Sequence, residues 1–281
     1  MKNKGDQEMS FLDHLEELRW HIIRALASIL VFAIVVFLSK DFVWQKIILA
    51  PIRKDFFTYR FFCDLSPKLC FGPDKIEIIT RDIGEQFMMH MVSSFWLGVV
   101  VSFPYILWEV WKFIKPGLYE KEQKTIRGVV GICSFLFFLG VAFGYFVVTP
   151  FGVTFLSQYE LSNEIANTVT LSSYVNYLTM FVLPLGLVFE LPVVVYFLAK
   201  VGLVTGEMLR TFRRHAIVVV IIIAAVITPP DVASQILVSL PLIGLYEVSI
   251  WIAGRVNPLP KEEDEDKDKD EYDYDESKNK D

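Results

Sequence analysis

The feature that most restricts this chain is a series of apolar runs, each long enough or nearly long enough to cross a lipid bilayer. The hydrocarbon core is ~30 Å thick and an α-helix rises ~1.5 Å per residue, so one crossing takes about 20 mostly apolar residues. Six segments are candidates: about 20–38, 87–109, 128–149, 174–199, 215–228 and 232–253. Burying six such helices in a water-soluble protein would need far more amphipathic cover than 281 residues provide. Whole-chain averages (53% hydrophobic, mean hydropathy +0.43) understate the signal, because residues 261–281 hold 12 acids and 5 lysines with almost no apolar side chain. Without that tail the net charge moves from −6 to about +1. No basic face dominates, which argues against nucleic acid as a partner. Three cysteines in this length exclude a small disulfide-built fold. The reading that remains is an all-α, polytopic integral membrane protein with six transmembrane helices, the last two short.

The fifth segment is the anomalous one. Only 14 residues run from His215 to Thr228 before Pro229-Pro230 stops the helix. That covers roughly 21 Å, which requires a locally thinned bilayer, shielding by other helices, or a re-entrant path.

Lys and Arg in short flanking loops set orientation. Residues 110–127 carry Lys112, Lys115, Lys121, Lys124 and Arg127, and residues 200–214 carry Lys200, Arg210, Arg213 and Arg214. Segments 150–173 and 229–231 carry none. An N-in/C-in topology follows. Segment 39–86 disagrees, with eight Lys/Arg on the predicted outer side, but the other four loops outweigh it. Charges of both signs precede the first span and no small-residue cleavage site follows it, so that span is expected to stay as an anchor.

Three regions follow from this: a flexible N-terminus over 1–9, a membrane domain over 10–255, and a disordered acidic cytoplasmic tail over 256–281. Ser10 is a suitable N-cap for a short amphipathic helix at the membrane surface, with Phe11, Leu15, Leu18 and Ile22 at spacings of three and four. Cys63 and Cys70 fall in the predicted outer segment. They either close a small loop in an oxidising compartment or remain free thiols. Cys133, within the third span, reads as packing.

An ionisable group inside a span costs ~2.5–3.5 kcal/mol on insertion scales and needs a reason. Glu190 lies deep in the fourth span beside Pro192, with Pro184 upstream. It is either the wall of a polar cavity on a proline-kinked helix, or a protonated carboxyl hydrogen-bonded to a neighbouring helix. Glu247 and His90 read as packing or interhelical hydrogen bonding. Glu17 and Glu122 sit at the inner interface, where a carboxylate is suited to a guanidinium because the two planar groups pair bidentately. His14, Glu17 and His21 share a helix face but lack a second close ligand pair for a metal. No HExxH, CxxC, GxSxG or phosphate-binding Gly loop occurs.

Five motifs, in order, carry a resemblance: HLEELR at 14–19, API at 50–52, VWKFIKPGLYEKE at 110–122, FELPV at 189–193 and TPPDVASQ at 228–235. Together they resemble the TatC family, polytopic receptors of the twin-arginine protein translocase, over about residues 10–255. The resemblance implies a non-enzymatic, cofactor-free component of an oligomeric export complex in the inner membrane of a bacterium. Such a protein binds signal peptides with consecutive arginines, recruits single-span partners of the TatA and TatB type, and exports folded cargo with the proton-motive force. It implies that Glu17 and Glu122 receive the arginines, and that Arg19, Phe113, Pro116 and Tyr119 shape that site. Pro51 would be the outer-loop proline, Glu190 the buried acid on the concave side, and Asp231 with Gln235 the partner-docking end. His21 departs from the family pattern, which has a second arginine there. Two other classes remain in contention. A proton-coupled transporter would use Glu190 or Glu247, though no internal repeat is present. An intramembrane enzyme would rest on His90 with Ser93 or Ser94, which make a poor dyad on one turn.

Overall fold

The computed structural model describes residues 11–68, 70–73, 76–114, 126–159, 162, 168–228 and 232–256. Helix α1 (Phe11–Leu38) is 28 residues long. The amphipathic start expected at the membrane surface is therefore continuous with the first span, since no Gly or Pro interrupts the run from Phe11 to Leu38. The other α-helices longer than one turn are α2 (Phe57–Leu65), α3 (Glu85–Ile114), α4 (Ile126–Phe143), α5 (Thr149–Gln158), α6 (Leu171–Val188), α7 (Leu191–Lys200), α8 (Gly206–Thr211), α9 (Arg213–Ile227) and α10 (Val232–Val256).

Among the described residues, five helical segments are long and apolar enough to cross a membrane: Glu16–Leu38, Glu85–Phe113, Gly128–Gln158, Leu171–Lys200 and Ser234–Val256. The remaining expected span, the fifth at about 215–228, corresponds to α9, only 15 residues long. The sequence reading made the last two spans short, but α10 has 25 residues and only α9 is short. The last helix gains length because it runs on through Gly254 and Arg255, whose guanidinium lies 3.7 Å over the Trp251 ring. The third span also outruns its expected end at 149. A π-helical turn (Gly144–Val148) joins α4 to α5, and Pro150 falls in the first turn of α5.

The chain forms two compact units, one of residues up to 190 together with 220–242, the other of 191–219 together with 243 onward. In the first, α1 packs along α3, and α4 crosses α6. Gly140 and Gly144 lie one turn apart where α4 meets α6. A Cβ at Gly140 would sit 2.6 Å from the Leu185 carbonyl oxygen, and one at Gly186 would sit 2.7 Å from Phe137. Small residues at these positions let two backbones approach, which is how helices gain packing energy where lipid removes the hydrophobic drive. Phe103 of α3 stacks on Phe137 of α4 at 3.5 Å.

The segment after α1 is where regular helix fails. It passes through a π-helical stretch (Val43–Ile48) and a 3-10 turn (Ala50–Ile52) that seats a fully buried Pro51. Three tyrosines from separate elements satisfy carbonyls freed there. Tyr145 donates to Ile47 at 2.7 Å, Tyr174 to Ile48 at 2.5 Å and Tyr59 to Pro51 at 2.8 Å. Thr58 donates to the Phe146 carbonyl. A parallel bridge pairs β1 (Ile78–Ile79) with β2 (Val169–Thr170), and Glu85 accepts from the amides of Arg81 (2.6 Å) and Ser172 (2.8 Å). The described parts of segments 39–86 and 149–173 therefore share one end of the helices, as alternating spans require. A disulfide links Cys63, at the end of α2, to Cys70.

In the second unit, Arg213 pairs with Glu247 at 2.8 Å, and Tyr246 donates to the Leu209 carbonyl at 2.8 Å. Glu247 thus has an interhelical partner, as its default reading required.

Candidate functional site

The end of α1 and α3 remote from the tyrosine-clamped segment gathers ionisable groups that the apolar spans would otherwise exclude. On α1, Glu17, His21 and Arg24 are spaced four and three apart and fall on one face. On α3, Tyr105, Glu109 and Phe113 repeat every four residues. The two helices meet closely because Gly98 lies against the Ala33 backbone, where a Cβ would sit 2.8 Å from the Ala33 nitrogen.

His21 Nδ1 lies 2.5 Å from Glu109 Oε2, and both residues are buried, at 5% and 4% exposure. Arg24 Nη1 approaches the same Glu109 oxygen at 3.6 Å, and the Tyr105 hydroxyl donates a hydrogen bond to that carboxylate. Glu109 is therefore engaged by three groups of its own chain. Removing one partner of such a buried pair strands the other in a low-dielectric setting, at a cost of about 3–5 kcal/mol. Glu17 differs. Its side chain is 41% exposed, and its ion-pair contact among the described residues is His21 Nε2 at 3.9 Å, too long for a hydrogen bond. The Phe113 ring stands edge-on to His21 at 6.1 Å between centroids. The geometry leaves Glu17 as a half-solvated carboxylate beside the His21 imidazole, able to accept a planar cation. The described residues hold no grouping of three or more His, Cys, Asp or Glu side chains that could hold a metal ion.

Glu17 and Phe113 thus each stand beside His21. Arg19 does not: it is exposed, with its guanidinium 5.9 Å from the Trp20 ring, two residues round the helix from Glu17. Pro116, Tyr119, Glu122 and Asp231 lie outside the described residues. Gln235 donates to the Ile221 carbonyl at 3.5 Å. His90 stacks on Phe37 at 4.0 Å. Glu190 occupies the two-residue break between α6 and α7, and its Oε1 has no hydrogen-bond partner among the described residues. It does not line the apolar cavity of about 600 Å³ formed by residues such as Trp96, Val100, Phe138 and Val182.

Glu109, Arg24 and Tyr105 went unnoticed in the sequence. The signal was present: consecutive spans run antiparallel, so ionisable residues near the start of the first face those near the end of the second. His21 and Arg24 on one span thus called for a carboxylate near 109 on the next.

Comparison with known proteins gives a consistent picture. The sequence model of a family described as "TatC: Sec-independent protein translocase protein (TatC)" matches residues 13–241. The TatC protein of Blattabacterium sp. subsp. Periplaneta americana is 37% identical over 264 residues, covering 92% of this chain and 99% of that protein. The one from Helicobacter pylori strain J99 is 46% identical over 178 residues, covering 63% of this chain and 71% of that protein. A crystal structure of the twin arginine translocase receptor TatC superposes with a TM-score of 0.68 at 30% identity, covering 86% of this chain and 99% of the other. A second TatC crystal structure, in the detergent DDM, gives 0.70 at 31% identity over 85% of this chain and 99% of the other.

Proposed function

Because this chain belongs to the TatC family of Sec-independent protein translocase proteins, we propose that it is the receptor that binds twin-arginine signal peptides at the cytoplasmic face of a bacterial inner membrane. The carrying observation is the half-exposed Glu17 carboxylate, held at the end of the α1–α3 pair beside His21, whose ring meets Phe113. Glu122, eight residues beyond the end of α3, supplies the second carboxylate. Two carboxylates suit two consecutive guanidiniums, and the bidentate fork explains a preference for arginine over lysine at equal charge. Pro116 and Tyr119 lie in the same connection and, with Phe113 and Arg19, shape the site.

The orientation is N-in/C-in with six spans, α9 being the short one, and the basic segments 110–127 and 200–214 lie inside. Partners of the TatA and TatB type dock near Asp231 and Gln235, at the start of α10. Folded cargo then crosses in an oligomeric complex driven by the proton-motive force.

The test is binding of a labelled Arg-Arg signal peptide to membranes containing this protein, with a Lys-Lys peptide as control. Arg-selective binding is expected, and Glu17→Ala or Glu122→Ala should weaken it by about 2–5 kcal/mol if the pair is desolvated. Equal binding of both peptides, or unchanged binding in both variants, overturns the reading.

A further inference from the structure

Resting on the reading of Glu17 as a guanidinium acceptor, we propose that Glu109 is a specificity-determining positioning residue for that acceptor. It draws the chain's own Arg24 and His21 to itself and so keeps Glu17 open to the ligand.

Glu17, His21 and Arg24 stack along one face of α1, with Arg24 seven residues deeper into the apolar run than Glu17. Two turns separate them by ~10 Å along the axis, a gap that two long side chains together can close. A basic side chain at that depth extends toward the membrane interface, which here is the direction of Glu17. Arg24 instead lies 3.6 Å from Glu109. His21 makes the same choice: its Nδ1 is 2.5 Å from Glu109, while its Nε2 stops 3.9 Å short of Glu17. The Tyr105 hydroxyl fixes the Glu109 carboxylate from its own helix.

The chemistry makes this arrangement necessary. Arg24 carries the group that Glu17 is to recognise, and a group tethered in the same chain acts at an effective concentration of about millimolar or above. Without Glu109, Arg24 would be an internal competitor for Glu17. Two carboxylates and one guanidinium also leave one negative charge for an incoming arginine, whereas one carboxylate and one guanidinium leave none.

The experiment uses the full chain in membranes and reads binding of an Arg-Arg signal peptide and its Lys-Lys counterpart. Glu109→Gln should weaken Arg-Arg binding about tenfold or more, since the internal competitor is released. Adding Arg24→Gln should restore binding to within about threefold of wild type, because removing a competitor is not additive with releasing it. If Glu109 only holds α1 against α3, the double variant binds no better than the single one, and that result overturns the proposal. Should Glu109→Gln fail to accumulate, Glu109→Met, close in volume and without charge, provides the same comparison with and without Arg24→Gln. A wild-type protein indifferent to Arg-Arg, or a Glu17→Ala variant that binds as wild type does, removes the recognition reading and this one with it. Selective wild-type binding that Glu17→Ala weakens, with no recovery in the double variant, removes only the role of Glu109.

Discussion

The hydroxyl of Tyr59 lies 2.8 Å from the carbonyl oxygen of Pro51, eight residues earlier, in a side chain only 1% exposed. The same hydroxyl reaches the Pro150 carbonyl at 3.3 Å and accepts from Thr154 at 3.3 Å. One phenol thus joins the turn after the first span to the helix that continues the third. The missing N–H groups of Pro51 and Pro150 free the carbonyls four residues upstream, Ile47 and Phe146, and Tyr145 and Thr58 donate to those in the same cluster.

Tyr59→Phe keeps the ring and its packing on Phe71 but leaves buried acceptors unpaired. A loss of about 1–3 kcal/mol in stability is expected. Thermal unfolding in detergent checks it, with the exposed Tyr159→Phe as a control that should not move. A Tyr59→Phe protein as stable as wild type would show that the hydroxyl is not needed.

Burial also pushes the Tyr59 phenol up to about 12 from its ordinary value of about 10. Its folded pKa is raised, so its contribution is complete below about pH 10 and is lost as pH rises toward 12. The alkaline fall in stability over that window should be shallower in Tyr59→Phe than in wild type, measured by unfolding temperature against pH.

Gly140→Val should be destabilising by about 1–3 kcal/mol, because side-chain atoms would meet the Leu185 carbonyl and the Gly186 Cα across the α4–α6 crossing. Gly131→Ala, on the same helix with nothing within 4 Å of its added Cβ, should leave stability unchanged. Equal behaviour of the two variants would remove the crossing as a tight contact.

The Cys63–Cys70 disulfide closes a loop of seven residues' separation and constrains the unfolded chain by about 2 kcal/mol. On the proposed topology it faces the oxidising side. A membrane-impermeant thiol reagent should label both cysteines in intact cells only after reduction. Labelling that requires membrane disruption would invert the orientation.

Glu190→Gln should spare signal-peptide binding and impair export, because Glu190 sits at the α6–α7 break, on a different pair of helices from the Glu17 cluster. Loss of peptide binding in this variant would contradict that separation of roles.

The sequence was most legible where the signal is one-dimensional. Apolar length identified the five long spans and picked out the short run that forms α9, and Pro192 anticipated the break that ends α6 at Val188. Helix ends were less legible. The run to Gln158 depends on a π turn at 144–148 that absorbs Pro150, and α10 outlasts its apolar run because Arg255 folds back over Trp251. The Gly140–Gly186 approach was invisible for the same reason, since a glycine reveals a close contact only once its partner helix is placed.

Sequence alone determined that this chain lives in a bilayer, roughly where it crosses, and that Glu17 was a carboxylate worth explaining. These follow from the cost of exposing polar groups to hydrocarbon, which each segment meets by itself. Only the tertiary structure decided which polar groups face one another: His21 with Glu109, and Tyr59 with Pro51. Those pairings join residues through the packing of whole helices, and a buried donor's partner is fixed by where the chain returns rather than by its neighbours in sequence.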